Sequence, residues 1–406
     1  MRKYWKTTAI IVLIMLSIGT FYVNSARSAE NLPAFMIQTL SGDPKEIEPL
    51  VLEGSYTDMS TMNYVSSNVK INAEGSVYNS RSFLDQVIGY YPTVIKELHE
   101  EHRTFMRGKN IWAESYFENK EVLVYAELND DMGSLRSRDF TFTISILNKK
   151  DDTTNSFSVE VPKARELDNI FVEDVQMIDG ELYLITRNLL RNNDNSFNAN
   201  YIYTIDIENQ KISNKESIVE VPQEQGNTFT NVGLIESSPT KANKHLIFEI
   251  TVEKIIEEKE SARVEEYNKE IISYNLATKE KESLNVSDLK MNENQLSFYD
   301  GSTLYFTKID GQELVVTPFS LRDNQAAKAF RIQLSSEEGN VHNPVLNVKD
   351  GKLYAITSQM NSNVNADVIV TDLTTGENLF SGQVVFRDSS REQGKFELYL
   401  YELFVK

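Results

Sequence analysis

The 406-residue chain is 40% hydrophobic and 25% charged, which supplies a large core and excludes a disordered or fibrous polymer. It has no cysteine, so disulfides, cysteine-ligated metals, thiol catalysis and a lipid-modified cysteine anchor are all excluded. The formal net charge is -19, a surface that repels nucleic acid and anionic lipid and suits solubility, cationic partners or a counter-ion-rich wall.

The charge is uneven. Residues 1–29 carry Arg2, Lys3, Lys6 and Arg27 and no acid, which leaves 37 of the 41 basic residues against all 60 acidic ones. An apolar run follows over residues 7–23. Its roughly 17 residues make a helix of about 25 Å, a short membrane span. The flanking cations keep the N-terminus in the cytoplasm and send the chain outward. A cleaved signal peptide has the same features, with Ala26 and Ser28, or Val23 and Ser25, as the small residues at a cleavage site. Either way, residues 30–406 are expected outside the cytoplasm as one body.

Residues 32–107 are the least regular. Strands are expected over residues 48–54 and 63–71, and a short helix starting near Pro92, since proline suits a first helical turn. Beyond residue 108 a unit recurs. Asp179-Gly180-Glu181-Leu182-Tyr183, Asp300-Gly301-Ser302-Thr303-Leu304-Tyr305 and Asp350-Gly351-Lys352-Leu353-Tyr354 each set a tight turn before an apolar strand. Asn119-Lys120-Glu121-Val122-Leu123 is a relative without the Asp-Gly, and another turn lies near Asn243-Lys244. The spacing, about 50–60 residues, is that of a repeat architecture. In each unit a second apolar strand follows, as at residues 201–207, 271–276 and 367–373, and then a short turn and a last strand.

Four antiparallel strands per unit at this spacing resemble a β-propeller blade, in particular the degenerate blades of exported bacterial propellers. The resemblance covers residues 108–390 and implies an all-β fold of four-stranded blades, six favoured and seven possible, behind one N-terminal apolar helix. The C-terminal strand, residues 396–405, has nothing after it. Pairing within the first blade would remove its exposed edge.

The second connection of each blade reads as a long polar loop in four units: residues 129–138, 187–200, 253–266 and 358–366. Loops on a rigid scaffold are where binding concentrates. Arg136, Arg138, Arg187, Arg191, Asn193, Asp194, Glu257, Glu258, Asn361 and Asn363 are therefore the candidate binding face. Residues 253–266 also read as a protruding hairpin or a helix.

No catalytic constellation is evident. His99-Glu100-Glu101-His102 spaces its histidines by three, where a zinc-protease helix needs four, and reads as a solvated segment. His245 and His342 read as structural or surface residues. A nucleophile elbow and a phosphate loop are absent, and with just Trp5 and Trp112 a tryptophan-rich quinone propeller is not expected. Cofactors and metals are not expected. The sequence favours a non-catalytic, membrane-anchored envelope protein that binds a protein partner through the long-loop face. A propeller that binds wall glycan or a small ligand is the alternative, and a glycan-cleaving hydrolase or lyase the third.

Overall fold

A computed structural model describes residues 10, 12–20, 32–59, 66–78, 92–134, 137–192, 195–220, 228–235, 240, 242–257, 262–286, 289, 295–334, 344–388 and 395–406. The described chain is all-β and propeller-like, with six antiparallel sheets of four or five strands. Strands are numbered in chain order. One sheet runs β1 (Phe35–Gly42), β26 (Asn378–Phe386), β25 (Ala366–Asp372), β23 (Lys352–Ile356), β22 (Val345–Lys349). A second runs β24 (Gln359–Asn361), β27 (Phe396–Val405), β2 (Leu50–Asp58), β3 (Ser66–Asn72), β4 (Gly75–Tyr78). Three more are meanders: β5 (Tyr116–Glu118), β6 (Val122–Ser134), β7 (Ser137–Asn148), β8 (Thr153–Glu160); β9 (Leu167–Ile178), β10 (Glu181–Asn192), β11 (Asn195–Asp206), β12 (Lys211–Glu220); and β13 (Thr228–Ile235), β14 (His245–Glu257), β15 (Ala262–Asn275), β16 (Glu280–Ser283). The sixth holds β17 (Gln295–Tyr299), β18 (Thr303–Asp310), β19 (Glu313–Ser320), β20 (Gln325–Ala326) and β21 (Phe330–Gln333).

The chain clusters into two compact units. One comprises Met1–Tyr90, Lys308–Val316 and Ala329–Lys406; the other comprises Tyr91–Thr307 and Thr317–Lys328. In the first, the last strand pairs along its length with β2, and β24 covers residues 397–399 of its other edge. Leu398 and Leu400 of β27 are buried with Leu52, Ile71, Val370 and Phe380, each such side chain contributing about 1.5–3 kcal/mol. Gly54 faces Leu400 at a register shift, and a Cβ there would lie 2.6 Å from the Tyr399 carbonyl oxygen, so the two strands meet closely only because position 54 is glycine.

In the second unit, apolar clusters fill the spaces between successive sheets. Phe142 of β7 meets Tyr203 of β11 edge-on, with ring centroids 5.2 Å apart. Tyr183 and Phe248 share the next cluster, and Ile247, Leu304 and Phe306 the one after. The helix Thr93–Glu101 begins directly after Pro92, as the sequence predicts, and buries Ile95 and Leu98 against Tyr116 and Leu123.

The Asp-Gly turns are hairpin turns as expected, but of two kinds. Asp179 and Gly180 have φ of 51° and 84°, and Asp350 and Gly351 have 51° and 73°, the paired left-handed conformation of a type I′ turn. Asp300 instead caps its turn with its side chain: Oδ1 accepts the Ser302 and Thr303 backbone N–H groups at 2.9 and 2.8 Å, and Gly301 alone is left-handed.

One expectation is corrected. The stretches read as long polar loops in three units are the far ends of long hairpins. The ladder of β10 and β11 continues to Asn192↔Asn195, and that of β14 and β15 to Glu257↔Ala262. The β6–β7 ladder likewise reaches Ser134↔Ser137. Backbone pairing does not depend on side-chain polarity, and a solvated hairpin tip tolerates polar residues on both faces. For residues 253–266 the hairpin alternative is the observed one.

At the N-terminus, residues 12–20 are helical and carry exposed Val12, Leu13, Ile14, Met15, Leu16 and Ile18. Among the described residues no helix is long and apolar enough to cross a membrane; residues 7–9, 11 and 21–23 of the expected span lie outside them.

Candidate ligand-binding cavity

Within the second unit a cavity of about 530 Å³ opens where β9 and β13, the first strands of two successive sheets, meet the segment leading into a third. It is lined by Trp112, Glu114, Glu127, Phe171, Glu173, Arg187 and Gly233, among others. Such a size and mixed lining suit a small ligand.

The register of the sheet builds its polar wall. Arg187 of β10 pairs with Phe171 of β9 on one side and with Asn200 of β11 on the other. Directly opposed residues of antiparallel strands point to one face, so Phe171, Arg187 and Asn200 form a row across three strands. The guanidinium carbon of Arg187 lies 4.8 Å from the Phe171 ring centroid. Glu173 is an extra residue: Thr186 pairs with Val172 and Ile185 with Asp174, which leaves Glu173 unpaired in a β-bulge. From there its Oε1 accepts Arg187 Nε–H at 2.7 Å and its Oε2 accepts Asn200 Nδ2–H at 2.8 Å. Asn200 is fully buried, and its Oδ1 has no partner among the described residues. Burial raises the Glu173 carboxyl above its ordinary range, opposed by Arg187 and Asn200 and reinforced by the charge of Glu114.

The second wall comes from residues 110–116 and β6. Asn110 organises it: its Oδ1 accepts Trp112 N–H at 3.1 Å, its N–H donates to Tyr125 Oη at 3.1 Å, and its carbonyl accepts Tyr116 Oη–H at 2.6 Å. Ser115 N–H closes the turn on the Trp112 carbonyl at 3.1 Å. The Trp112 backbone is thereby held at the cavity, with the residue 62% exposed. Tyr125 Oη–H donates to Glu127 Oε2 at 2.6 Å, and burial, ahead of that carboxylate, pushes the phenol well above its usual range. On the third side Gly233 of β13 presents bare backbone, and a Cβ built there meets no atom within 4 Å. A glycine inside a strand that borders open space marks a place where a ligand can approach the backbone.

Of the residues expected on a binding face, Arg187 is at this site. Arg138, Arg191 and Glu257 lie in β7, β10 and β14, near the hairpin ends; Arg136, Asn193, Asp194 and Glu258 lie outside the described residues. Asn361 caps a turn in the other unit, where its Oδ1 accepts the Asn363 and Val364 N–H groups at 2.8 and 3.2 Å. Trp112, Glu114, Glu127, Phe171 and Glu173 are not legible as site residues in the sequence. The one available signal is Trp112, a lone tryptophan in a polar stretch.

The solvated segment expected at residues 99–102 is corrected: His99 and His102 are half-buried, and Glu101, His102 and Glu118 bring ligand atoms within 4.8 Å of one another, a set able to hold a metal ion. His102 Nε2 is 3.9 Å from both Glu101 and Glu118, and the ammonium of Lys149 already lies 2.5 Å from Glu118 Oε1. His245 starts β14, as expected, with Nδ1 3.1 Å from Ser273 Oγ.

No protein-family model matches the sequence. No curated protein matches it either. Among solved structures, an uncharacterized protein, lmo1340, from Listeria monocytogenes EGD-e is 12% identical over 68% of each chain, with a TM-score of 0.35. An oligogalacturonate lyase in complex with manganese is 8% identical over 91% of this chain and 97% of that one, with a TM-score of 0.36. Synechocystis apocarotenoid oxygenase is 8% identical over 86% and 92%, with a TM-score of 0.38. Likeness this weak transfers no chemistry to the chain.

Proposed function

We propose that the chain is a non-catalytic binding protein of the cell envelope, with its propeller-like part outside the cytoplasm and a small ligand, or an end of a wall polymer, in the cavity beside Trp112. The cavity carries this reading: an exposed indole, a carboxylate pre-oriented by Arg187 and Asn200, and bare backbone at Gly233 converge on one open volume. The extracytoplasmic placement is supported by Arg2, Lys3 and Lys6 ahead of the apolar segment, and by the exposed apolar helix at residues 12–20.

A glycan-cleaving enzyme would be expected to gather Asp, Glu, Arg and His at one mouth. Here the described charged lining is Glu114, Glu127, Glu173 and Arg187, without histidine or aspartate, and Glu173 is engaged by two donors. Binding accounts for this set without a bond-breaking step.

Saturable binding of the purified full-length protein to isolated envelope material is the test. Gly233→Leu fills the cavity from a position with free space, so the reading requires that it abolish binding while leaving the unfolding midpoint nearly unchanged. A second reading, binding of a protein partner, draws on the long hairpins β6–β7, β10–β11 and β14–β15. Cross-linking in source cells separates the two. Capture that survives Gly233→Leu but is lost when residues 253–266 become a short turn supports the partner.

A further inference from the structure

We infer that the cavity beside Trp112 takes an organic cation, an ammonium or guanidinium group presented by a small molecule or by the end of a larger one. The inference rests on the cavity being a ligand site, and it adds the chemical class.

Three carboxylates line the cavity, Glu114, Glu127 and Glu173, against one cation, Arg187. That cation is committed. Its Nε–H is on Glu173 and its flat face lies over Phe171, so it offsets Glu173 and leaves the field of Glu114 and Glu127. The ammonium of Lys109 donates to the Phe105 carbonyl at 2.6 Å, lies 4.1 Å from the Phe105 and 5.3 Å from the Tyr125 ring centroid, and acts on Glu127, which also accepts Tyr125 Oη–H; among the described residues Glu114 is the lining carboxylate without a cation of its own. A neutral ligand that displaced water here would leave Glu114 desolvated without a counter-charge, which is costly; a cation supplies that charge.

The indole supplies the second half of the recognition. Tryptophan is the strongest aromatic partner for a cation, and the exposed Trp112 lines the cavity, its backbone fixed by Asn110 and Ser115. The same wall already contains a worked instance of this chemistry. Arg187 sits on the Phe171 face with a carboxylate at its edge, the arrangement a ligand cation would adopt between Trp112 and Glu114 or Glu127.

The test uses the full-length protein carrying Trp5→Phe, which leaves Trp112 as the one indole, and reads its fluorescence. Three probes are titrated: choline, its neutral isostere in which carbon replaces nitrogen, and a neutral trisaccharide of N-acetylglucosamine. The inference requires saturable quenching by choline and at least about tenfold weaker binding of the isostere. Choline binding should also weaken with added salt and in Glu114→Gln, a variant whose fold is checked by its unfolding midpoint. Equal binding of choline and isostere, or binding of the trisaccharide alone, overturns the cation and leaves the cavity as a ligand site. Absence of saturable binding by any of the three contradicts both.

Discussion

Arg187 and Glu173 meet at 2.7 Å because a bulge in β9 brings an unpaired glutamate to the arginine that is paired two residues away with Phe171. Both partners lie inside the protein's own wall, and neither is free to change alone. Arg187→Met leaves the Glu173 carboxylate buried with only Asn200 as a donor. We expect a loss of about 1–3 kcal/mol in denaturant unfolding, the cost of an under-satisfied buried charge. Arg187→Lys should recover only part of it, since a lysine lacks the planar face that stacks on Phe171.

The pH dependence of stability has a definite sign at Glu173. Its folded carboxyl is shifted upward from the ordinary 4.5, mainly by burial. The folded state therefore holds this proton more tightly than the unfolded chain does. The stability associated with it is present below pH 4.5 and is lost as pH rises through the folded value. Glu173→Gln removes the titration. The stability of that variant relative to wild type should rise with pH across this window, measured by urea unfolding in a pH series. A relative fall over the same range would contradict the assignment.

Two glycines should fail for different reasons. Gly54→Ala drives a methyl to 2.6 Å from the Tyr399 carbonyl oxygen, and the β2–β27 pairing must shift, at about 1–3 kcal/mol. Gly351→Ala meets open space but keeps a φ of 73°, so it carries only the left-handed penalty of about 1–2 kcal/mol. Gly351→Asn should recover part of that loss and Gly54→Asn should recover none, with unfolding midpoints as the readout.

Much of the fold was legible because it is written in local signals. Asp179-Gly180 and Asp350-Gly351 specify I′ turns, apolar alternation marks the strands beside them, and the apolar stretch at residues 396–405 needed a strand partner, which β2 supplies. The hairpin ends were not legible. Residues such as Asn192 and Asn195 are polar in either state, and only the ladder shows that they pair. The site was mostly hidden for a related reason. Arg187 stood out by its charge in a polar stretch, but its partners come from three strands and a separate turn. The bulge that delivers Glu173 follows from pairing register, which has no local sequence signature.

The most direct measurement is a thermal-unfolding screen of small organic cations and neutral sugars against wild type and Gly233→Leu in parallel. A ligand of the folded state at about 100 times its Kd adds about 2.7 kcal/mol, a shift of a few degrees. The account predicts at least one compound that raises the wild-type midpoint and leaves Gly233→Leu unmoved, because the new side chain occupies the open space beside Trp112. Compounds that shift both proteins equally, or a screen in which none shifts the wild type, would contradict the claim that this cavity is a binding site.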